Sequence, residues 1–95
     1  MSAKLVLRLK RVGPSGLQEY VVWDVPVDER SPDGVRYRLA FVPFGLRRPV
    51  VLYDNHHPKG HHKHLNGVEA AYSYRGIAEL VADFEEDVSH WRKQS

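Results

Sequence analysis

Residues 77–91 read Ile77-Ala78-Glu79-Leu80-Val81-Ala82-Asp83-Phe84-Glu85-Glu86-Asp87-Val88-Ser89-His90-Trp91. Ile77, Leu80, Val81, Phe84, Val88 and Trp91 recur at steps of three and four, which lays a single apolar stripe along an α-helix. Glu79, Asp83, Glu85, Glu86 and Asp87 fall off that stripe, as a solvated acidic face does. Arg92 and Lys93 follow where a helix C-terminus favours cations. The helix is expected to begin near Gly76 or Ile77, without the Ser or Thr that would cap it best. One stripe needs one apolar surface to cover, and everything upstream reads as sheet-building sequence.

Asn66-Gly67 is a turn pair, with a connector through Tyr74 leading into the helix. Val50 to Tyr53 is a short β-branched strand, and Val35 to Val42 a longer one with Val35, Tyr37, Leu39 and Phe41 inward and Arg36 and Arg38 outward. Pro43 ends that strand or confines it to an edge. Pro26 to Gly34 is a surface loop. Leu17 to Val25 alternates, and its apolar set Val21, Trp23 and Val25 is expected to face inward, leaving Gln18, Tyr20 and Val22 outward. Lys4 to Val12 alternates too, with Leu5, Leu7 and Leu9 on one side and Lys4, Arg8 and Lys10 on the other. The turn Gly13-Pro14-Ser15-Gly16 joins these two into an antiparallel hairpin. His61 to Leu65 makes a fifth strand or extended edge. The expectation is a two-layer α+β domain over residues 1–95, an antiparallel sheet of four to five strands packed on one C-terminal helix.

Composition narrows the function classes. A chain of 95 residues has room for one core. It has no cysteine, hence neither disulfides nor thiolate metal sites, which fits a cytoplasmic protein. Met1 to Arg11 alternates leucine with cations and is no secretory signal. The longest uncharged apolar run, Leu39 to Leu46, is far short of the ~18 residues of a membrane span. The net charge of +2 conceals a basic N-terminal half and an acidic helix. That segregation is read either as an anion-binding face or as ordinary surface charge.

Five of the six histidines lie in the ribbon Tyr53-Asp54-Asn55-His56-His57-Pro58-Lys59-Gly60-His61-His62-Lys63-His64-Leu65. On a strand, His62 and His64 share a face. Three chemistries suit this ribbon. In metal-free RNA cleavage, His62 and His64 exchange protons near neutral pH, Asp54 orients an imidazole, and Lys59, Lys63, Arg47 and Arg48 hold phosphate. In metal binding, His62 and His64 act with Asp54 or His56 as a third ligand. The third chemistry is passive binding of an anionic partner. The spacing matches no closed zinc framework and no HExxH helix, so no metal ligands are assigned and no cofactor is specified. Each histidine taken singly reads as solvated loop; the group does not. On the outer sheet face, Arg8, Lys10, Arg36 and Arg38 are expected to surround Tyr20, a pattern that suits single-stranded nucleic acid as well as a plain polar surface.

Tyr53-Asp54-Asn55, followed by Lys59-Gly60, His62-Lys63-His64 and the tail Leu80-Val81-Ala82-Asp83-Phe84, resembles the TumE-type toxins of toxin–antitoxin systems. Their ribbon reads YDN and then KGDHRH, and their closing helix LLADF. The resemblance spans nearly the whole chain, including Val22-Trp23 and Tyr37-Arg38-Leu39. It departs at His61, where the family often has aspartate, at Ala70-Ala71, where it has Glu-Pro, and at Gly76, where a capping Ser or Thr is common. The matching positions are Asp54, Asn55, Lys59, Gly60, His62 and His64. The resemblance implies a small cytoplasmic toxin with an antitoxin encoded alongside as partner. The ribbon chemistry adds RNA as a candidate target, the short apolar runs argue against a membrane, and self-association stays open. The alternative is a non-enzymatic protein-interaction module, with or without a bound metal.

Overall fold

The computed structural model describes residues 2–94, which leaves Met1 and Ser95 of the expected 1–95 domain outside the described residues. These residues form β1 (Lys4–Val12), β2 (Gly16–Asp24), β3 (Val35–Pro43), β4 (Val51–Asp54), β5 (His62–Leu65), β6 (Val68–Ala71) and α1 (Ile77–Gln94). The strands form one antiparallel sheet in chain order, a simple meander, and α1 packs across β3 and β4 on one face. The α+β reading holds, with one more strand than expected. The extra strand is β6, whose four residues are all exposed. Asn66 and Gly67 both have positive φ (52° and 85°), the conformation of a two-residue hairpin turn, so Leu65 pairs directly with Val68.

The core is the expected stripe against the expected strand. Leu80, Phe84 and Val88 of α1 meet Leu39, Phe41, Val51 and Tyr53 from below. Phe84 stands edge-on to both Tyr20 (5.3 Å between centroids) and Tyr53 (5.8 Å). Tyr20 is a correction. It is 1 % exposed and faces the helix with Gln18 and Val22, while Val21 and Trp23 face the opposite side of the sheet. Alternation specifies that neighbours point opposite ways but not which set is buried. Here the helix decides, because it supplies polar partners. Tyr20 Oη donates to Glu85 Oε2 (2.7 Å) and accepts from Gln18 Nε2 (2.8 Å), while Arg92 Nη2 donates to Gln18 Oε1 (2.8 Å).

The first strand also departs from strict alternation. Leu5 pairs with Trp23 but Leu7 with Val22, so Val6 is an extra residue. The bulge turns Leu5 to the Trp23 side, while Leu7 and Leu9 stay on the helix side. Of the three, Leu7 packs against the core; β1 lies at the sheet edge, largely beyond the helix.

Of the five acidic residues of α1, Asp83, Glu85 and Asp87 are engaged by the sheet and the connector, while Glu86 is exposed as expected. Asp83 accepts from Tyr72 Oη (2.6 Å) and Arg75 Nη2 (2.6 Å). Asp87 accepts from the Tyr53 hydroxyl and pairs with Lys63 Nζ at 3.2 Å. Glu85 takes Tyr20 and, at 3.6 Å, Arg11. Burial, followed by the hydrogen bond to Glu85, pushes the Tyr20 phenol up to about 12. Tyr53 and Tyr72 are pushed above the usual phenol range by burial and by their carboxylate partners. The neutral phenols therefore stabilise the fold below the ordinary pKa of 10.0, and that stability is lost as pH rises from there through the folded values. Tyr20→Phe is expected to lower stability by about 1–3 kcal/mol near neutral pH and to flatten the alkaline decline. Urea midpoints measured across that range check both.

Candidate functional site

Register assigns the ribbon residues to faces. One cross-strand row runs Arg8, Val21, Arg38, Asp54, His62, Ala71; the next runs Lys10, Glu19, Ala40, Leu52, His64, Glu69. Both rows lie on the side of the sheet that the helix leaves open. His62 and His64 are thus neighbours, with ring centroids 5.1 Å apart and planes at 78°. The pair expected from the strand reading is assembled, and Asp54 stands beside His62 in register.

His62 is the more buried of the two. It is 8 % exposed, and its Nδ1 lies 2.8 Å from the carbonyl oxygen of Gly60. A carbonyl only accepts, so Nδ1 carries the proton and the neutral ring keeps its free lone pair on Nε2. Gly60 presents that carbonyl from a left-handed conformation (φ 72°), which glycine adopts at no steric cost. His64 Nε2 lies 3.4 Å from Glu69 Oε1, and Lys59 Nζ lies 2.7 Å from the same oxygen. The hydrogen bond from Lys59 holds the Glu69 carboxyl below the usual carboxylate range. Sequence reading overlooked Glu69. The signal was available: counting outward from the Asn66-Gly67 turn sets Leu65 opposite Val68 and His64 opposite Glu69.

Beside the pair, Val21, Trp23, Arg36, Arg38, Asp54 and His56 line an open groove of about 320 Å³. The aromatic among the basic side chains is therefore Trp23, half-buried, and not Tyr20. A groove of about 360 Å³ on the helix side, lined by Val50, Leu65 and Trp91 among others, contains none of the assigned site residues.

The other ribbon residues are separated from this pair. Lys63 points to the helix face, where it binds Asp87. Arg47 and Arg48 sit in the turn before β4, in a separate groove with Asn66 and Gly67, at the end of the sheet nearer His64. His56 and His57 are exposed in the loop, where the His56 backbone N–H donates to Asp54 Oδ1 at 2.6 Å. His61 lies against Tyr74 (4.8 Å, 2° between planes), with Nδ1 2.8 Å from the Tyr37 hydroxyl and Nε2 2.5 Å from Asp33. It clamps the loop before β3 to the ribbon. Five histidines in sequence therefore yield two that stand together.

Two further ribbon residues are architectural. Tyr53 is fully buried beneath the helix. Asn55 follows the last β4 residue and continues the ladder with its side chain: Oδ1 accepts from the Tyr37 backbone N–H (2.9 Å) and Nδ2 donates to the Val35 carbonyl (2.7 Å).

The chain matches the family model described as Toxin TumE over residues 2–92. It belongs to the TumE toxin family. No curated protein and no solved structure matches it. Membership makes the chain a toxin of the toxin–antitoxin kind and implies an antitoxin partner. Among the described residues, no helix is long and apolar enough to cross a membrane. The ribbon residues thus divide between building it (Tyr53, Asn55, Gly60) and furnishing its open face (Asp54, Lys59, His62, His64).

Asn55→Ala removes a donor and an acceptor from the β3 backbone and should cost about 1–3 kcal/mol. Asn55→Asp, which keeps the acceptor for Tyr37 but cannot donate to Val35, should also be less stable than the wild type. Urea midpoints for both variants provide the check.

Proposed function

We propose that this TumE-family toxin binds single-stranded RNA across its open sheet face and cleaves it by proton transfer through His62 and His64. The observation that carries the reading is the adjacency of the imidazole pair to the groove bearing Trp23, Arg36 and Arg38. An indole offers a stacking surface for a base, and the guanidiniums offer charge for the backbone. Arg47 and Arg48, at the far end of the sheet, suit the continuing strand, so that the imidazoles face a phosphate between the two basic regions.

In the proposed step, His62 Nε2 takes the proton of a ribose 2′-hydroxyl as its oxygen attacks the adjacent phosphorus. The bond from phosphorus to the 5′-oxygen breaks, and His64 delivers a proton to that oxygen. The products are a 2′,3′-cyclic phosphate and a free 5′-hydroxyl. One nitrogen from each ring lies within 4.8 Å of the other. Each can therefore reach, at about 2.6–3.2 Å, one of two oxygens flanking a single phosphorus. Asp54 stands opposite His62 in register, and Glu69 Oε1 lies 3.4 Å from His64 Nε2, so each ring has a carboxylate-bearing neighbour to orient it. Lys59 and Arg38 supply positive charge where the phosphorane becomes more negative. The salt bridge of Lys63 to Asp87 on the helix face argues for a structural role for that lysine. Acting on RNA, the toxin would work in the cytoplasm.

Single-turnover cleavage of cellular RNA tests the reading. His62→Ala and His64→Ala should each slow cleavage by at least about 100-fold while leaving RNA affinity within a few-fold. Full activity in both variants would remove the assignment. Arg36→Ala and Arg38→Ala should weaken binding and each reduce the slope of log affinity against log salt by about 1.

A further inference from the structure

We infer that His62, His64 and Glu69 form a binding site for one divalent transition-metal ion of the zinc class. The site belongs to the open face, yet it does not rest on the RNA reading. It is a property of three side chains brought together by the β5–β6 hairpin.

One donor atom from each residue lies within 4.8 Å of the other two. Bonds of ~2.0–2.1 Å in tetrahedral geometry separate neighbouring ligand atoms by roughly 3.3 Å. His64 Nε2 and Glu69 Oε1, at 3.4 Å, already stand at that separation. The His62 donor atom lies within 4.8 Å of the other two, so an ion held by all three draws each pair together by no more than about 1.5 Å. Two imidazoles and one carboxylate suit zinc and its neighbours rather than magnesium or calcium, which prefer all-oxygen sets.

A second feature points the same way. Histidines that bind metals commonly donate their other ring N–H to a carbonyl or carboxylate, which fixes the tautomer and aims the free nitrogen. His62 does this through Nδ1 and Gly60, whose left-handed backbone aims the carbonyl at the ring. His62 is also largely shielded from water, so its orientation is set by the fold. Three protein ligands leave one tetrahedral position for water or an anionic oxygen.

Lys59 defines how the site would fill. Its ammonium occupies the Glu69 oxygen that would ligate the ion, so cation and metal compete for one carboxylate. Removing Lys59 should therefore tighten metal binding. Occupancy also engages both imidazoles, so bound metal would suppress any proton transfer they perform.

The test is calorimetric titration of the metal-free full chain with Zn²⁺, together with the visible spectrum of its Co²⁺ form. Expected for the wild type are one ion per chain and the intense absorption of four-coordinate cobalt. His64→Ala and Glu69→Gln should each weaken binding by at least about 10-fold. Lys59→Met should tighten it by about two- to five-fold, and the double variant His56→Ala/His57→Ala should leave it unchanged. Circular dichroism establishes that each variant is folded; Glu69, exposed on an edge strand, is the safest position to change. No stoichiometric binding by the wild type would overturn the proposal. So would a Glu69→Gln protein that binds as the wild type does, or loss of binding in the His56/His57 variant, which would locate the ion in the loop. Because these readouts contain no RNA, they are separable from the failure or success of cleavage.

Discussion

The two layers are fastened by phenol–carboxylate contacts along both margins of the helix stripe. Tyr53 and Tyr72 meet Asp87 and Asp83 on one flank, and Tyr20 meets Glu85 on the other. Each carboxylate is further neutralised by a cation, respectively Lys63, Arg75 and Arg11. This arrangement settles how acidic residues can border a hydrophobic seam. Phenol rings supply apolar area to the core while their hydroxyls reach its rim and meet the carboxylates there. It also fixes the angular setting of the helix, because a rotation that broke one flank would unpair the other.

The same seam frees the opposite side of the sheet. Period-two geometry sends every residue between the buried ones outward, and in this meander those residues are basic in β1 and β3 and imidazole-bearing in β5. Lys63, between His62 and His64, illustrates the division. It serves the seam, while its two neighbours serve the open face. Asn55 and Gly60 then shape the ribbon that joins β4 to β5, one by substituting for a missing backbone residue and the other by turning its carbonyl toward His62.

Much of this was legible in the residues. The stripe from Ile77 to Trp91, the inward set Tyr37, Leu39 and Phe41, and the shared face of His62 and His64 follow from periodicity alone. What escaped the reading depended on partners distant in the chain. The orientation of β2 turned on Glu85 and Arg92, which satisfy Tyr20 and Gln18 from the helix. One inserted residue at Val6 moved Leu5 to the other face, and no local pattern announces a bulge. Glu69 was missed because β6 looked like connector. Its exposed, alanine-bearing residues carry no alternation, and only the register of the Asn66-Gly67 turn sets His64 opposite Glu69. His61 was grouped with its neighbours by sequence, whereas its stacking on Tyr74 separates it from them.

The meander has a further consequence for how the polypeptide is made. All six strands leave the ribosome before the helix does, and each can pair with the one just emerged, so the contacts between strands are local and quick to form. Yet the side of the sheet bearing Tyr20, Leu39, Phe41 and Tyr53 has no cover until residues 77–94 arrive. A nascent chain halted before that point displays an aromatic, adhesive surface. The final segment thus acts as the molecule's own lid during synthesis, and a product truncated there would be prone to aggregate before it could poison anything.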